Sequence, residues 1–169
     1  MEKITFREPQ MSDLKSSLEM INSLVDEKAY ITVQKKLNLK QEREYLKQVL
    51  KEKEEGTRVD LILDINGEVC GSARISLIDK STRGHVGELG ISLLKDIRGR
   101  GLGEKLLRKI LDKARKELKV KIVTLYAYSK NKVAINLYKK VGFKKLGTIK
   151  KGASYYGKLI DKDIMVKYI

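Results

Sequence analysis

The chain has 169 residues, long enough for one well-packed core and short for two, and its 41% apolar and 35% charged residues describe a globular protein rather than a disordered one. No apolar run approaches the roughly 18 residues that a membrane span needs, and MEKITFREPQ is charged early where a signal peptide would be apolar, so a cytoplasmic protein with no membrane partner is expected. Cys70 and His85 stand alone of their kinds in a chain of net charge +15, which leaves no intramolecular disulfide and no cysteine/histidine zinc site; no metal is expected.

KITFR alternates as a short strand. Ser12 then reads as the cap of a helix whose Leu14, Leu18, Ile21, Leu24 and Val25 share one face, and a second helix is expected over Leu39 to Lys53. RVDLILDI, the pair Asn66-Gly67 and EVCGSARISLI predict a β-hairpin, because Asn-Gly accepts the positive φ values of a two-residue turn. Within it Cys70 reads as a small buried hydrophobe before it reads as a nucleophile. A strand over His85 to Leu94 precedes three alternate glycines. Beyond them Leu102, Leu106, Leu107, Ile110, Leu111, Ala114 and Leu118 form the stripe of an amphipathic helix, and KIVTLYAY reads as a buried strand. Asn131 to Val141 is a shorter helix stopping at Gly142, and FKKLGTI and LIDKDIMVKYI close the chain as strands. With Pro9 the single proline and no Ser/Gly linker, residues 1–169 are expected to form one α/β domain.

Glycine is a poor helix residue, yet Gly99, Gly101 and Gly103 open a strong helix. A helix N-terminus exposes unpaired amides and the positive end of the helix dipole, and glycines ahead of it let backbone approach an anion, as in a pyrophosphate cradle. The spacing is G-x-G-x-G, which departs from the G-x-G-x-x-G of dinucleotide folds; a strand-to-helix turn without a ligand is the plainer alternative. GASYYGKL matches seven positions of the nucleoside-triphosphate loop, but Leu159 stands where Ser or Thr should hold magnesium, and the match is set down to chance.

Charge is distributed unevenly. From Leu118 to Ile160 there are eleven lysines and no acid, which suggests either a polyanionic partner or a solvated basic surface. A nucleic-acid module would have to act on phosphates alone, since no aromatic platform or zinc-finger spacing accompanies the lysines, and nucleic acid is the disfavoured partner.

RGRGLG, Arg98 to Gly103, resembles the Arg/Gln-x-x-Gly-x-Gly/Ala signature of the GNAT superfamily of N-acetyltransferases. NKVAINLYKKVGF, Asn131 to Phe143, resembles the family's Asn-x-x-Ala-x-x-Leu-Tyr-x-x-x-Gly-Phe segment. The resemblance covers Val59 to the C-terminus well and the strand-helix-helix beginning loosely. It implies the GNAT fold, a central mixed, twisted sheet of about seven strands flanked by about four helices, with splayed parallel strands that bind the cofactor. It further implies acetyl-coenzyme A as co-substrate, its pyrophosphate on Arg98, Gly99, Arg100, Gly101, Leu102, Gly103 and Glu104, and its pantetheine along the backbone of Ile91, Ser92 and Leu93.

By the same resemblance the reaction is direct attack of an amine on the thioester in a ternary complex, with Tyr138 as general acid toward the leaving thiolate and Asn131 holding cofactor or substrate. Tyr126 stands where the ribosomal-protein alanine acetyltransferases carry a glutamate, so Glu88 is the best carboxylate for the base. The acceptor is expected to be a peptide or protein N-terminus or a small amine, with Glu88, Asp161 or Asp163 making its side of the site acidic. A catalytically inactive acetyl-coenzyme A sensor is the remaining alternative, and a homodimer is left open.

Overall fold

The computed structural model describes residues 2–169. Side-chain alternation decides its two layers. Strands β2 (Arg58–Ile65) and β3 (Glu68–Leu77) form the expected hairpin, Asn66 and Gly67 turning at φ values of 57° and 91°. Val59, Leu61 and Leu63 therefore share one face of the sheet, and Arg58, Asp60 and Ile62 share the other.

The apolar face, with Ala73, Ile75 and Leu89, packs on α3 (Leu102–Glu117), whose Leu106, Leu107 and Ile110 are fully buried. On the other face Ile62 and Val69 meet Met20 and Leu24 of α1 (Leu14–Asp26), while Tyr45 and Glu52 of α2 (Leu39–Glu54) hydrogen-bond Arg58. The helices thus cover both faces of one sheet.

The remaining elements are β1 (Ile4–Arg7), β4 (Val86–Leu93), β5 (Ile122–Tyr128), α4 (Lys132–Val141), β6 (Lys144–Tyr155) and β7 (Lys158–Tyr168). The seven strands run in the order β1-β2-β3-β4-β5-β7-β6, all neighbours antiparallel except β4 and β5. That parallel ladder is short: Val86 pairs with Ile122, Gly87 with Val123 and Glu88 with Thr124. Beyond Glu88 and Thr124 the two strands part, so the expected splay is present, and β4 keeps one free edge as far as Leu93. No helix among the described residues is long and apolar enough to cross a membrane.

Two local expectations are corrected. Ser12 does not cap α1; it lies in a 3-10 turn over Met11–Asp13, and Asp13 holds the position before α1 without a side-chain capping bond, its carboxylate turned back toward the preceding residues. The Asp13 carboxylate accepts from the Gln10 amide at 2.8 Å and from Arg7 at 2.7 and 2.9 Å, three donors that one serine hydroxyl could not serve. Strand β6 runs on past Ile149 to Tyr155 through a shift of register, so GASYYGKL straddles the β6–β7 turn with no helix after it. The lysine-rich segment is partly neutralised from outside itself, Lys140 pairing with Glu104, Lys145 with Asp163 and Lys150 with Asp161.

Gly87 fixes the packing where the two parallel strands are still joined. A Cβ there would lie 2.5 Å from Cγ2 of Ile75, a residue with no exposed surface, so Gly87→Ala must displace a core side chain. Overpacking of this kind costs about 1–3 kcal/mol. Denaturant unfolding of Gly87→Ala is expected to show a lowered midpoint at unchanged slope; an unchanged midpoint would mean that the core yields freely at this point.

Candidate active site

A cavity of about 1080 Å³ opens where β4 and β5 part, and it reaches residues of α1, α2, β2 to β5, α4 and the start of α3. Its floor at α3 is backbone. Gly101 caps the helix at φ 74°, ψ −4°, a left-handed conformation that a side chain would strain, and a Cβ on Gly99 or Gly101 would meet no atom within 4 Å. The first intrahelical bond runs from Lys105 to the Gly101 carbonyl, which leaves the amides of Leu102, Gly103 and Glu104 without helical acceptors. Gly103 packs beneath Leu93 and Leu137, while the Leu102 side chain is sunk in the core.

The two arginines of this turn are already paired. Arg98 donates to the Leu93 carbonyl at 2.9 and 3.0 Å and forms a two-point ion pair with Glu27, just past α1; Arg100 pairs with Glu2. Arg98 therefore ties the end of β4 to α1. At this turn the amides and the dipole of α3 are the positive features that no side chain answers. Glu104 is held by Lys140 at 2.7 Å and Arg108 at 2.9 Å, which together keep its carboxyl below the usual range.

Ile91, Ser92 and Leu93 lie on the free edge of β4 and line the cavity, with Ser92 Oγ 3.2 Å from Ser72 Oγ. Asn131 lines it too, but its side-chain oxygen accepts from the Ala134 amide at 3.2 Å and so caps α4. Tyr138, on the buried stripe of α4 with Ile135 and Val141, is 7% exposed and edge-on to Phe143, yet it also borders the cavity. No partner for its hydroxyl occurs among the described residues, and no buried side-chain oxygen lacks one, so the phenol oxygen opens onto the cavity. Burial pushes the phenol up to about 12.

Glu88 is the last β4 residue paired to β5, and alternation turns it away from Leu89 toward the α1/α2 side. Tyr138 and Glu88 thus approach the parting from opposite faces of the sheet. Tyr126 lines the cavity with Lys162 lying 4.2 Å over its ring. Asp161 and Asp163 are not in the cavity wall. Asp161 is engaged by Lys150, and Asp163 accepts from Ser129, Thr148 and Lys145, which hold its carboxyl down to about 2 although burial pushes it up. Of the three acids expected to make the acceptor side acidic, Glu88 alone lines the cavity.

Glu42 and Asp60 also line it and were missed in the sequence, as was Arg74 on the same wall. A signal for Glu42 existed: it occupies the apolar stripe of α2 at four and seven residues from Leu46 and Val49, where a carboxylate is out of place. Asp60 and Arg74 are ladder partners on the charged face of the hairpin.

The described residues match the model of the acetyltransferase (GNAT) family over residues 19–143. The chain belongs to that family. It is 32% identical over 107 residues to the L-amino acid N-acetyltransferase AaaT of Escherichia coli strain K12, a match covering 63% of this chain and 66% of that protein. A second relative, the uncharacterized N-acetyltransferase MJ1207 of Methanocaldococcus jannaschii, is 32% identical over 113 residues, 64% of this chain and 47% of its own. Among solved structures, the GNAT-family acetyltransferase from Streptococcus pneumoniae superposes with a TM-score of 0.87 at 24% identity, covering 99% of this chain and 100% of that one. The microcin C7 self-immunity acetyltransferase MccE, in complex with acetyl-CoA and AMP, superposes at 0.84 with 16% identity, over 99% and 93%. These likenesses confirm the mixed seven-stranded sheet with four helices as the GNAT fold.

Proposed function

We propose that the protein transfers the acetyl group of acetyl-coenzyme A to a primary amine, on a small molecule or a peptide N-terminus, within a ternary complex. The observation that carries this reading is the parting of β4 and β5 directly beside an open helix N-terminus. The site fits the coenzyme: three free amides of α3 and side-chain-free backbone at Gly99 and Gly101 suit a pyrophosphate, and the free edge of β4 at Ile91, Ser92 and Leu93 suits an amide-bearing arm. The relative named as an L-amino acid N-acetyltransferase supports an α-amine as acceptor.

Acetyl-coenzyme A supplies, when bound, an acetyl group activated as a thioester. The chain's own residues then have two tasks on opposite sides of the sheet. Glu88 faces the acceptor side with no ion pair or hydrogen bond to its carboxylate among the described residues, and it receives the proton that an attacking amine must lose. Tyr138 offers a phenolic proton on the other side, toward the sulfur that must leave. Asn131 holds the first turn of α4 in place and thereby sets where Tyr138 stands, and Arg98 fixes the end of β4. The surrounding apolar wall excludes water from a thioester that water would also attack.

Titration calorimetry is expected to show one acetyl-coenzyme A bound per chain, and a panel of primary amines to release free thiol in its presence. Absence of acetyl-coenzyme A binding would overturn the reading.

A further inference from the structure

The charges that line the cavity can be sorted by whether the protein already answers them. Of its basic side chains, Arg98 is paired with Glu27 and Lys140 with Glu104, while Lys28 and Lys162 lie over the rings of Tyr156 and Tyr126. Arg74 has no direct hydrogen bond or ion pair among the described residues, and it meets the carboxylates of Asp60 and Glu52 only through longer-range attraction. Asp60, its partner across the β2–β3 ladder, gives both oxygens to Arg58 at 2.7 and 2.8 Å. The Arg74 guanidinium lies instead along bare backbone, 3.3 Å from where a Cβ of Gly90 would stand, so that glycine makes room for it two residues beyond Glu88.

Of the carboxylates, Glu27, Asp60 and Glu104 are likewise taken, and Glu88 sits at the parting of the strands. That leaves Glu42. It is only 5% exposed, and its carboxylate has no partner among the described residues, yet neither oxygen is sealed from the cavity. An unanswered carboxylate on the apolar stripe of a helix is costly, and burial accordingly pushes it up. A cation seated against it with good hydrogen-bond geometry offsets part of that cost.

We infer that the acceptor is an α-amino acid with a cationic side chain, its carboxylate received by Arg74 and its side-chain cation by Glu42. This rests on the acetyl-transfer reading for where the α-amine goes, toward Glu88, and adds what surrounds it. Arg74, Glu42 and Glu88, the cavity charges with no direct partner of their own, then match the three charges of one small molecule. Arg74 stands on β3 opposite Gly90, on the same sheet face as Glu88 two residues away, and Glu42 stands on the overlying α2, so a carboxylate toward the reacting amine and a cation toward the helix follow the connectivity of a basic amino acid.

The test uses the protein saturated with coenzyme A and four probes titrated calorimetrically, so that binding is read without turnover. L-Arginine carries both groups, L-norleucine lacks the cation, agmatine lacks the carboxylate and pentylamine lacks both. L-Arginine is expected to bind at least tenfold more tightly than L-norleucine or agmatine, and pentylamine to bind most weakly. Glu42→Gln should cut the preference for L-arginine over L-norleucine at least tenfold, and Arg74→Gln the preference for L-arginine over agmatine. L-Norleucine binding as well as L-arginine in the wild type, which needs no variant to fold, would overturn the role of Glu42; agmatine binding equally well would overturn that of Arg74. Thiol release from acetyl-coenzyme A with the same probes is scored separately: selective binding of L-arginine with no turnover of any amine would sink the acetyl-transfer reading and leave the ligand assignment standing.

Discussion

Tyr138→Phe is expected to lower kcat by roughly 10²- to 10⁴-fold, the usual contribution of a positioned acid, while leaving acetyl-coenzyme A affinity and thermal stability close to wild type. The ring is what packs, edge-on to Phe143 on the buried stripe of α4, and phenylalanine keeps it. What is removed is one proton facing the cavity. With the phenol at about 12 and a thiol ionising near 8.5, complete transfer to a free thiolate is uphill by roughly 5 kcal/mol. In the proposed reaction Tyr138 would therefore work by donating a hydrogen bond as negative charge grows on sulfur, the proton passing fully only with help from solvent. Two consequences follow. Turnover is slowed without being abolished, because a thiolate departs tolerably unaided. The ratio of wild-type to variant kcat also stays constant from about pH 6 to about pH 9, because a group titrating near 12 remains protonated throughout. Full kcat in the variant, with chemistry rate-limiting, would make Tyr138 a packing residue alone.

The parts of this molecule that could be read from its sequence are those fixed by neighbours along the chain. The Asn66-Gly67 turn, the stripe of α3 and the Asn131 and Gly142 ends of α4 each depend on a handful of adjacent residues, and each is found where the local chemistry puts it. Contacts set by the sheet were not legible. Arg98 reads in sequence as spare positive charge beside three glycines, but it closes on Glu27, 71 positions away, because α1 ends against the tip of β4. Glu42 and Arg74 likewise acquire meaning only when α2 is laid over the hairpin and the other charges of the cavity have found partners. Asp161 and Asp163 show the reverse error: acids near the right strand in sequence are consumed by Lys150, Lys145 and two hydroxyls, so the fold spends them on β6.

Gly101→Glu is expected to weaken acetyl-coenzyme A binding by roughly 100-fold or more, the largest effect on affinity that a single change in the turn should produce. Two separate physical terms enter. At φ 74° any L residue other than glycine carries strain of about 1–2 kcal/mol, with asparagine the most tolerant, and it enters affinity to the extent that the free turn relaxes away from this conformation and binding must restore it. A carboxylate there adds repulsion, since a Cβ at this position points into open space beside the free amides of α3, and like charges about 4 Å apart near a protein surface repel by about 4 kcal/mol. Gly101→Asn separates the terms, because it carries the backbone strain without the charge. Asparagine should cost about tenfold or less in affinity, and the gap between the two variants should shrink as salt is raised, in the manner of exposed charges. Neither change should unfold the protein, because nothing within 4 Å of Gly101 needs to move. If Gly101→Glu binds acetyl-coenzyme A as well as Gly101→Asn at low salt, the pyrophosphate does not rest on this turn, and the three glycines serve only to start a helix.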